Sequence, residues 1–384
     1  MKYFYRKLFF TFLISFLFFA VAKNLHANYY EAGKSYYVYK KYNKAKNMFK
    51  KAIQAFPKYG NAYYFLGEIE KIQKNYDAAY SYYEKCVQLP TNKKYLKNAF
   101  WNMIVLSEQK NDTAGVVKTC KWMWLKLRDH SARRKIELLI NKYLWTNNKQ
   151  AITAYKKGLT LKKYNKEKAK ELFKEALSHD SDFLAPKFEL GLFAYSEKDY
   201  STAKDHLETI ASRISFYAEA HLLVGNIHYF QKNYGSAADH FSKAFEYGLL
   251  SRHTEYMTLI KRGKCYIKTG DYSKAYDDIA KAHAYNQRSM KTMILMSIIQ
   301  IKRKKYDDAL HTLKRIYNHN PNSPIILYQL GSIYYKKNNW RFLNYFDRLY
   351  NLSVHNKRLK KKFTKVYIIL TKKHFEKRNY SRAL

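Results

Sequence analysis

Residues Phe230–Phe245 read FQKNYGSAADHFSKAF, and far upstream residues Tyr39–Ile53 read YKKYNKAKNMFKKAI, nearly the same phrase. The echo has a period. Gly33 and Gly67 are 34 residues apart, as are Gly191 and Gly225, while Gly263 and Gly331 are 68 apart with Ser297 at the midpoint. Twelve residues after these positions stand Ala45, Ala79, Ala203, Ala237, Ala275 and Ala309. Four further on come Phe49, Tyr83, Leu207, Phe241, Ile279 and Leu313, and three beyond those Ala52, Cys86, Ile210, Ala244, Ala282 and Ile316. Small residues on two helices let the backbones approach, and periodic large residues fill the groove between neighbours. Asn75, Asp199, Asp271 and Lys305 stand just before the second helices, in turns that suit Asn, Asp and Gly.

This pattern resembles the tetratricopeptide repeat, a helix-turn-helix unit of 34 residues, with Pro57 and Pro321 in the place of its closing proline. The resemblance implies an all-α, right-handed superhelical solenoid in which each repeat buries its face only against its neighbours. Repeats are expected at 28–60, 61–94, 95–127, 151–184, 185–218, 219–252, 253–290, 291–324 and 325–353. They form one array over 28–127 and a second over 151–353, joined by an irregular helical connector at 128–150 and followed by a basic helix and unfinished repeat at 354–384. Three spans depart from the pattern. Trp101 and Thr113 replace glycine and alanine in the third, Gly158 and Ala169 are one residue too close in the fourth, and Leu343 replaces alanine in the ninth.

Composition adds a cellular address and a partner chemistry. Residues 1–27 carry Lys2, Arg6 and Lys7, an apolar run from Leu8 to Ala22, and small residues at Ala20, Ala22 and Ala27, the layout of a secretory signal peptide. The run would make a helix of about 22 Å, short of a ~30 Å hydrocarbon core. The chain is therefore expected to be exported and periplasmic, with membrane association kept open. Its 72 Lys and Arg against 30 Asp and Glu give a net charge of +42, a field that favours anionic partners. Export directs that charge to acidic proteins, envelope polymers and lipid headgroups, and no nucleic-acid recognition module is present in the sequence.

No catalytic, cofactor-binding or metal-binding set is expected. HExxH, P-loop and GxSxG motifs are missing from the sequence, and His221, His228, His206 and His240 read as packing or surface residues. Cys86 and Cys120 occupy equivalent places one period apart, too far for a disulfide, and Cys265 has no counterpart.

The tetratricopeptide resemblance implies a concave groove lined at four places of each first helix. The carried-over positions are Tyr30, Lys34, Tyr37, Tyr64, Glu68, Lys71, Tyr155, Lys162, Phe188, Tyr195, Asn226, Tyr229, Lys264, Tyr328 and Tyr335. Aromatics interleaved with lysine suit a peptide bearing apolar and acidic residues. The family's carboxylate clamp is not expected, because lysine is missing from the fifth place throughout, although Asn102 and Asn226 fill the ninth. A second dock is the tail, with Lys357, Arg358, Lys360, Lys361, Lys362, Lys365, Lys372, Lys373, Lys377 and Arg378. Its apolar residues Val366, Ile368, Ile369 and Leu370 need cover from the chain itself, a second copy or a partner. The function expected is a non-enzymatic periplasmic scaffold. The chain is similar at family level to the periplasmic collar subunits of spirochaete flagellar motors; the alternatives are a cell-wall or outer-membrane assembly adapter and a binder of anionic glycan or lipid.

Overall fold

The computed structural model describes residues 27–376, and among them every regular element is an α-helix. The expected signal peptide lies outside the described residues except for Ala27. Helix hairpins follow one another, beginning with α1 (27–38) and α2 (Tyr42–Ala55), α3 (Gly60–Ile72) and α4 (Tyr76–Gln88), and α5 (Lys93–Gln109) and α6 (Thr113–Leu127). The span expected as an irregular connector contains one helix, α7 (His130–Leu144), which packs on α6. Then come α8 (Lys149–Leu161) with α9 (Lys166–His179), α10 (Leu184–Ser196), and α11 (Tyr200–Arg213). The later hairpins are α12 (Ala218–Phe230) with α13 (Tyr234–Tyr247), α14 (Arg252–Thr269) with α15 (Tyr272–Tyr285), α16 (Met290–Lys302) with α17 (Tyr306–His319), and α18 (Pro324–Lys336) with α19 (Phe342–Ser353). Two short helices close the described chain, α20 (Lys357–Lys362) and α21 (Thr364–Glu376). The described helices group into two compact units, one holding residues 27–189 together with 212–217, the other 190–211 and 218–376.

The period found in the sequence has a direct steric cause. A methyl added at Gly67 would sit 2.6 Å from Cε1 of Tyr83, and one at Gly331 would sit 2.3 Å from Cε1 of Phe346. Both rings are buried, so the first helix of each hairpin rests its bare backbone on a large side chain of the second. Where the glycine is missing, Val117 lies sixteen positions after Trp101, and Leu313 sixteen after Ser297, both fully buried. In the ninth repeat the register is one residue shorter than expected. Phe342, not Leu343, takes the buried place ahead of Phe346, as Ala169 does ahead of Phe173 in the fourth.

The hairpin turns, other than the one between α8 and α9, follow one recipe that composition hides. A residue just before the second helix takes the left-handed backbone: Lys40, Lys74, Asn111, Lys198, Lys232, Lys304 and Asn338, with φ between 51 and 65°, and Gly270 at 91°. That conformation costs an L-residue about 1–2 kcal/mol. The helix end repays it through six-to-one hydrogen bonds, such as Asn75 N to Glu70 O at 2.8 Å and Asn233 N to His228 O at 2.9 Å, which satisfy carbonyls the helix leaves open. Asp199 and Asp271 then accept from the amides of Thr202 and Lys274 and start the next helix. Asn75 instead donates to Glu70 at 2.9 Å, and Lys305 makes no side-chain cap.

Candidate protein-interaction surface

The first-helix residues named from the sequence divide by position. The fifth-place aromatics of the first unit are core. Tyr30 packs edge-on against Tyr59 at 4.9 Å and Phe65 at 6.0 Å, and Tyr64 stacks on Tyr95 at 4.8 Å. Tyr155 meets Phe183 at 5.2 Å, and Phe188 meets Tyr217 at 5.2 Å. Each of these four side chains is at least nine-tenths buried, as is Asn226, so none of the five lines a surface as expected. The reason is geometric: the fifth place faces the first helix of the next repeat, and these rings fill that seam. The ninth- and twelfth-place residues Lys34, Tyr37, Lys71, Lys162, Tyr195, Tyr229, Lys264 and Tyr335 retain exposure.

In the first unit the exposed positions are already engaged. Lys71 Nζ donates to Asn102 Oδ1 at 2.8 Å, Asn102 Nδ2 donates to Glu68 Oε1 at 2.6 Å, and the Tyr83 hydroxyl donates to the same carboxylate. Burial, and after it the Glu68 charge, pushes the hydroxyls of Tyr37 and Tyr64 up to about 12. Lys34 pairs with Glu31 at 3.0 Å, and Lys162 pairs with Glu189. This ladder neutralises its own lysines.

The second unit differs. Lys261 Nζ, a residue the sequence did not single out, donates to Asn226 Oδ1 at 2.6 Å. Burial and the neighbouring charge of Lys291 hold both Lys261 and Lys264 below the usual ammonium range. Beside them lie Tyr229 and Phe230, with ring centroids 6.0 Å apart, and Tyr200 stacked on Phe230 at 5.4 Å. Further along the unit is a cavity of about 420 Å³ between α16, α18 and α20. Ile298, Ile301, Ile325, Tyr328 and Phe363 form its apolar wall. Lys302, Lys336 and Lys362 supply its charge, and no carboxylate lines it. Tyr328 and Lys362 were legible from the sequence as separate sites, one in the groove and one in the tail; the structure brings them to one cavity.

The tail is partly a lid on its own chain. Phe363, Val366 and Leu370 are buried with Leu327, Phe342, Phe346 and Leu349, and Ile369 packs against that cluster, whereas Ile368 is exposed. The apolar stripe therefore finds its cover within the chain, as one of the three expected arrangements. Lys357, Arg358, Lys360, Lys361, Lys362, Lys365 and Lys372 are exposed and Lys373 is half-buried, while Lys377 and Arg378 lie outside the described residues. Lys360 and Lys362 rest over the rings of Tyr367 and Phe363 at 5.7 and 5.4 Å. Cys86, Cys120 and Cys265 are buried free thiols, each pushed up to about 12, first by burial, so they are poor nucleophiles. No described helix is long and apolar enough to cross a membrane.

Comparison with known proteins agrees with this anatomy. A tetratricopeptide-repeat family model matches residues 60–93, and the model for anaphase-promoting complex, cyclosome, subunit 3 matches residues 231–316. A search of curated proteins finds no match. Similar solved structures include YrrB, described as a TPR protein with an unusual peptide-binding site, at 18% identity and a TM-score of 0.42 over 50% of this chain and 97% of that one. PilF of Pseudomonas aeruginosa is 13% identical with a TM-score of 0.32, over 71% of this chain and 96% of that one. The Cut9-Hcn1 hetero-tetramer of APC/C gives 16% identity and a TM-score of 0.36, over 89% of this chain and 76% of that one. The repeat matches, and the hairpins in which a bare first helix rests in register on a large residue of the second, make this chain a tetratricopeptide-repeat protein.

Proposed function

We propose that the chain is an exported, non-enzymatic scaffold whose second unit binds an acidic, apolar segment of a partner protein. One observation carries the reading: the cavity between α16, α18 and α20 joins an aromatic and aliphatic wall to three lysines with no carboxylate among them. An ammonium set without a counter-ion is relieved by an anion, and an apolar wall of this size takes one or two side chains of a docked peptide. Lys261 and Lys264, crowded by Lys291, extend the same demand along the unit. Export rests on the signal-like residues 1–27 and places the partner in the periplasm. A flagellar-collar assembly is the finer form of this reading and rests on family resemblance alone. The exposed row from Lys357 to Lys365 favours a second reading, contact with anionic lipid or glycan.

The test is binding of acidic peptides carrying Phe or Leu, measured by fluorescence polarisation against the whole chain. Tyr328→Ala and Lys336→Glu should each weaken binding at least tenfold, since a buried aromatic anchor is worth ~2 kcal/mol or more. Unchanged affinity in folded variants refutes the peptide site. Binding only to anionic vesicles, lost in high salt, selects the second reading.

A further inference from the structure

We propose that the second unit contains a zinc-type divalent metal site built from Glu208 of α11, His228 of α12 and His240 of α13. One donor atom from each of these residues lies within 4.8 Å of the others. His228 Nε2 stands 3.1 Å from Glu208 Oε1, and the rings of His228 and His240 are stacked at an angle of 30° with centroids 5.5 Å apart. The His240 ring is fixed from its other side by His221, whose Nδ1 is 3.0 Å from His240 Nδ1. Three donor-bearing side chains from three successive helices thus converge, with His221 against the third.

Hydrogen bonding alone leaves part of this cluster unexplained. His228 is only 5% exposed, and its Nδ1 has no hydrogen-bond partner. A buried ring nitrogen normally has one. Two imidazoles and a carboxylate are a ligand set that Zn²⁺ takes in three-ligand sites with an open fourth position. The harder Mg²⁺ and Ca²⁺ prefer all-oxygen shells, and no thiolate is present to select Cu(I). Ligand atoms bound at ~2.0–2.2 Å to a tetrahedral ion lie about 3.3 Å apart. Closing the present span therefore asks for a shift of about 1.5 Å, which side-chain rotation in the partly exposed Glu208 and His240 can supply. Glu208 is 40% exposed, so the fourth position opens to water, and Lys204 Nζ, 3.7 Å from the same oxygen, is the competitor the ion must displace. The contact between His221 and His240 is the kind of outer partner that sets ring orientation in metal sites. Bound metal would tie α11 to the α12–α13 hairpin and strengthen the contact between two consecutive repeats of this unit.

The experiment uses tag-free full chain, stripped with chelator and titrated with Co²⁺, whose visible ligand-field band reports a low-coordinate nitrogen–oxygen shell. The expected result is stoichiometric binding, displacement of the band by Zn²⁺, and a rise in melting temperature on adding Zn²⁺. His240→Gln and Glu208→Ala should abolish the band, and His221→Ala should weaken binding ~10–100-fold as an orienting partner. His206→Ala, outside the cluster, should leave it unchanged. Glu208 and His240 are partly exposed, so circular dichroism of their variants distinguishes lost ligation from lost folding, and the more deeply buried His228 is not needed for the decision. Failure of the wild-type chain to bind stoichiometrically, or a band that survives both Glu208→Ala and His240→Gln, overturns the site. The result is independent of peptide binding at the lysine-lined cavity.

Discussion

Gly331→Ala and Gly235→Ala are the same chemical change in the same unit, yet they should move stability in opposite directions. At Gly331 the new methyl would lie 2.3 and 2.4 Å from Cε1 and Cδ1 of Phe346. Comfortable carbon contacts are about 3.5–4.0 Å, so the ring must retreat by more than ~1 Å. It has little room, because Phe346 is 1% exposed and packed among Leu327, Phe342, Leu349 and Phe363. Overpacking of this kind costs about 1–3 kcal/mol, and alanine returns up to ~0.8–1.0 kcal/mol of helix propensity, leaving a net loss of up to about 2 kcal/mol. At Gly235 a methyl meets nothing within 4 Å, so only the propensity gain remains, at most ~1 kcal/mol in the first turn of α13. Urea titration followed by circular dichroism measures the difference. Hydrogen exchange on α18 and α19 localises it, which matters because repeat arrays need not unfold as one unit. Phe346→Leu provides an internal check: in the Gly331→Ala background the smaller residue should cost less than it does alone, with coupling above ~0.5 kcal/mol. A Gly331→Ala protein as stable as Gly235→Ala, or a strictly additive cycle, would refute the close-approach account of the repeat.

Two further perturbations probe buried charge. Asp278 is 3% exposed and takes a two-pronged contact from Arg262, at 2.8 Å from Nε and 2.7 Å from Nη2, so Asp278→Ala should destabilise by about 2–3 kcal/mol, below the ~3–5 kcal/mol of a fully buried pair, because it strands a half-buried guanidinium that also lies 4.5 Å over Phe245; a loss below ~1 kcal/mol in a denaturant titration would show that solvent reaches the pair. His240 is pushed down from 6.5 to about 4, first by burial and then by His221, His228 and Lys243, with Glu208 also facing the cluster. The unfolded chain therefore binds a proton that the folded one resists. Stability of metal-free protein should fall as pH drops from about 6.5 toward 4, then level off, and His240→Gln should flatten that slope in pH-dependent melting curves.

The repeat was legible because it is enforced by local sterics at fixed spacing. Glycine over a large buried side chain, as Gly67 over Tyr83, leaves a mark in the sequence. The surface was less legible. The fifth-place aromatics Tyr30, Tyr64, Tyr155 and Phe188 look like groove anchors because they recur beside lysines, but their direction depends on how one repeat leans on the next, which periodicity does not encode. The histidine cluster was hidden for a related reason. His206 and His240 occupy equivalent positions one period apart, and spacing draws attention to that pair. Contact instead runs within a hairpin, from His221 and His228, two turns apart on α12, to His240 on α13, with Glu208 arriving from α11. Equivalence across repeats is visible in a sequence, whereas adjacency between the two helices of one hairpin has to be built.

The tail shows how charge and apolar pattern separate once the chain folds. In sequence, Val366 and Leu370 stand among lysines and read as one sticky, basic docking helix. In the fold, α21 turns those two residues onto α19 and leaves the lysines between 357 and 365, together with Ile368, outside, so burial has taken most of the apolar stripe away from an external partner. What remains for docking is mainly electrostatic, and an electrostatic dock is screened over about 10 Å at 0.1 M salt and about 3 Å at 1 M. The same packing makes α20 and α21 the cover of the last hairpin: Phe363 closes both the core around Phe346 and one wall of the lysine-lined cavity. Removing the tail would therefore uncover Phe342, Phe346 and Leu349 and open the cavity at once, coupling the stability of the final repeat to the site that the second unit offers a partner.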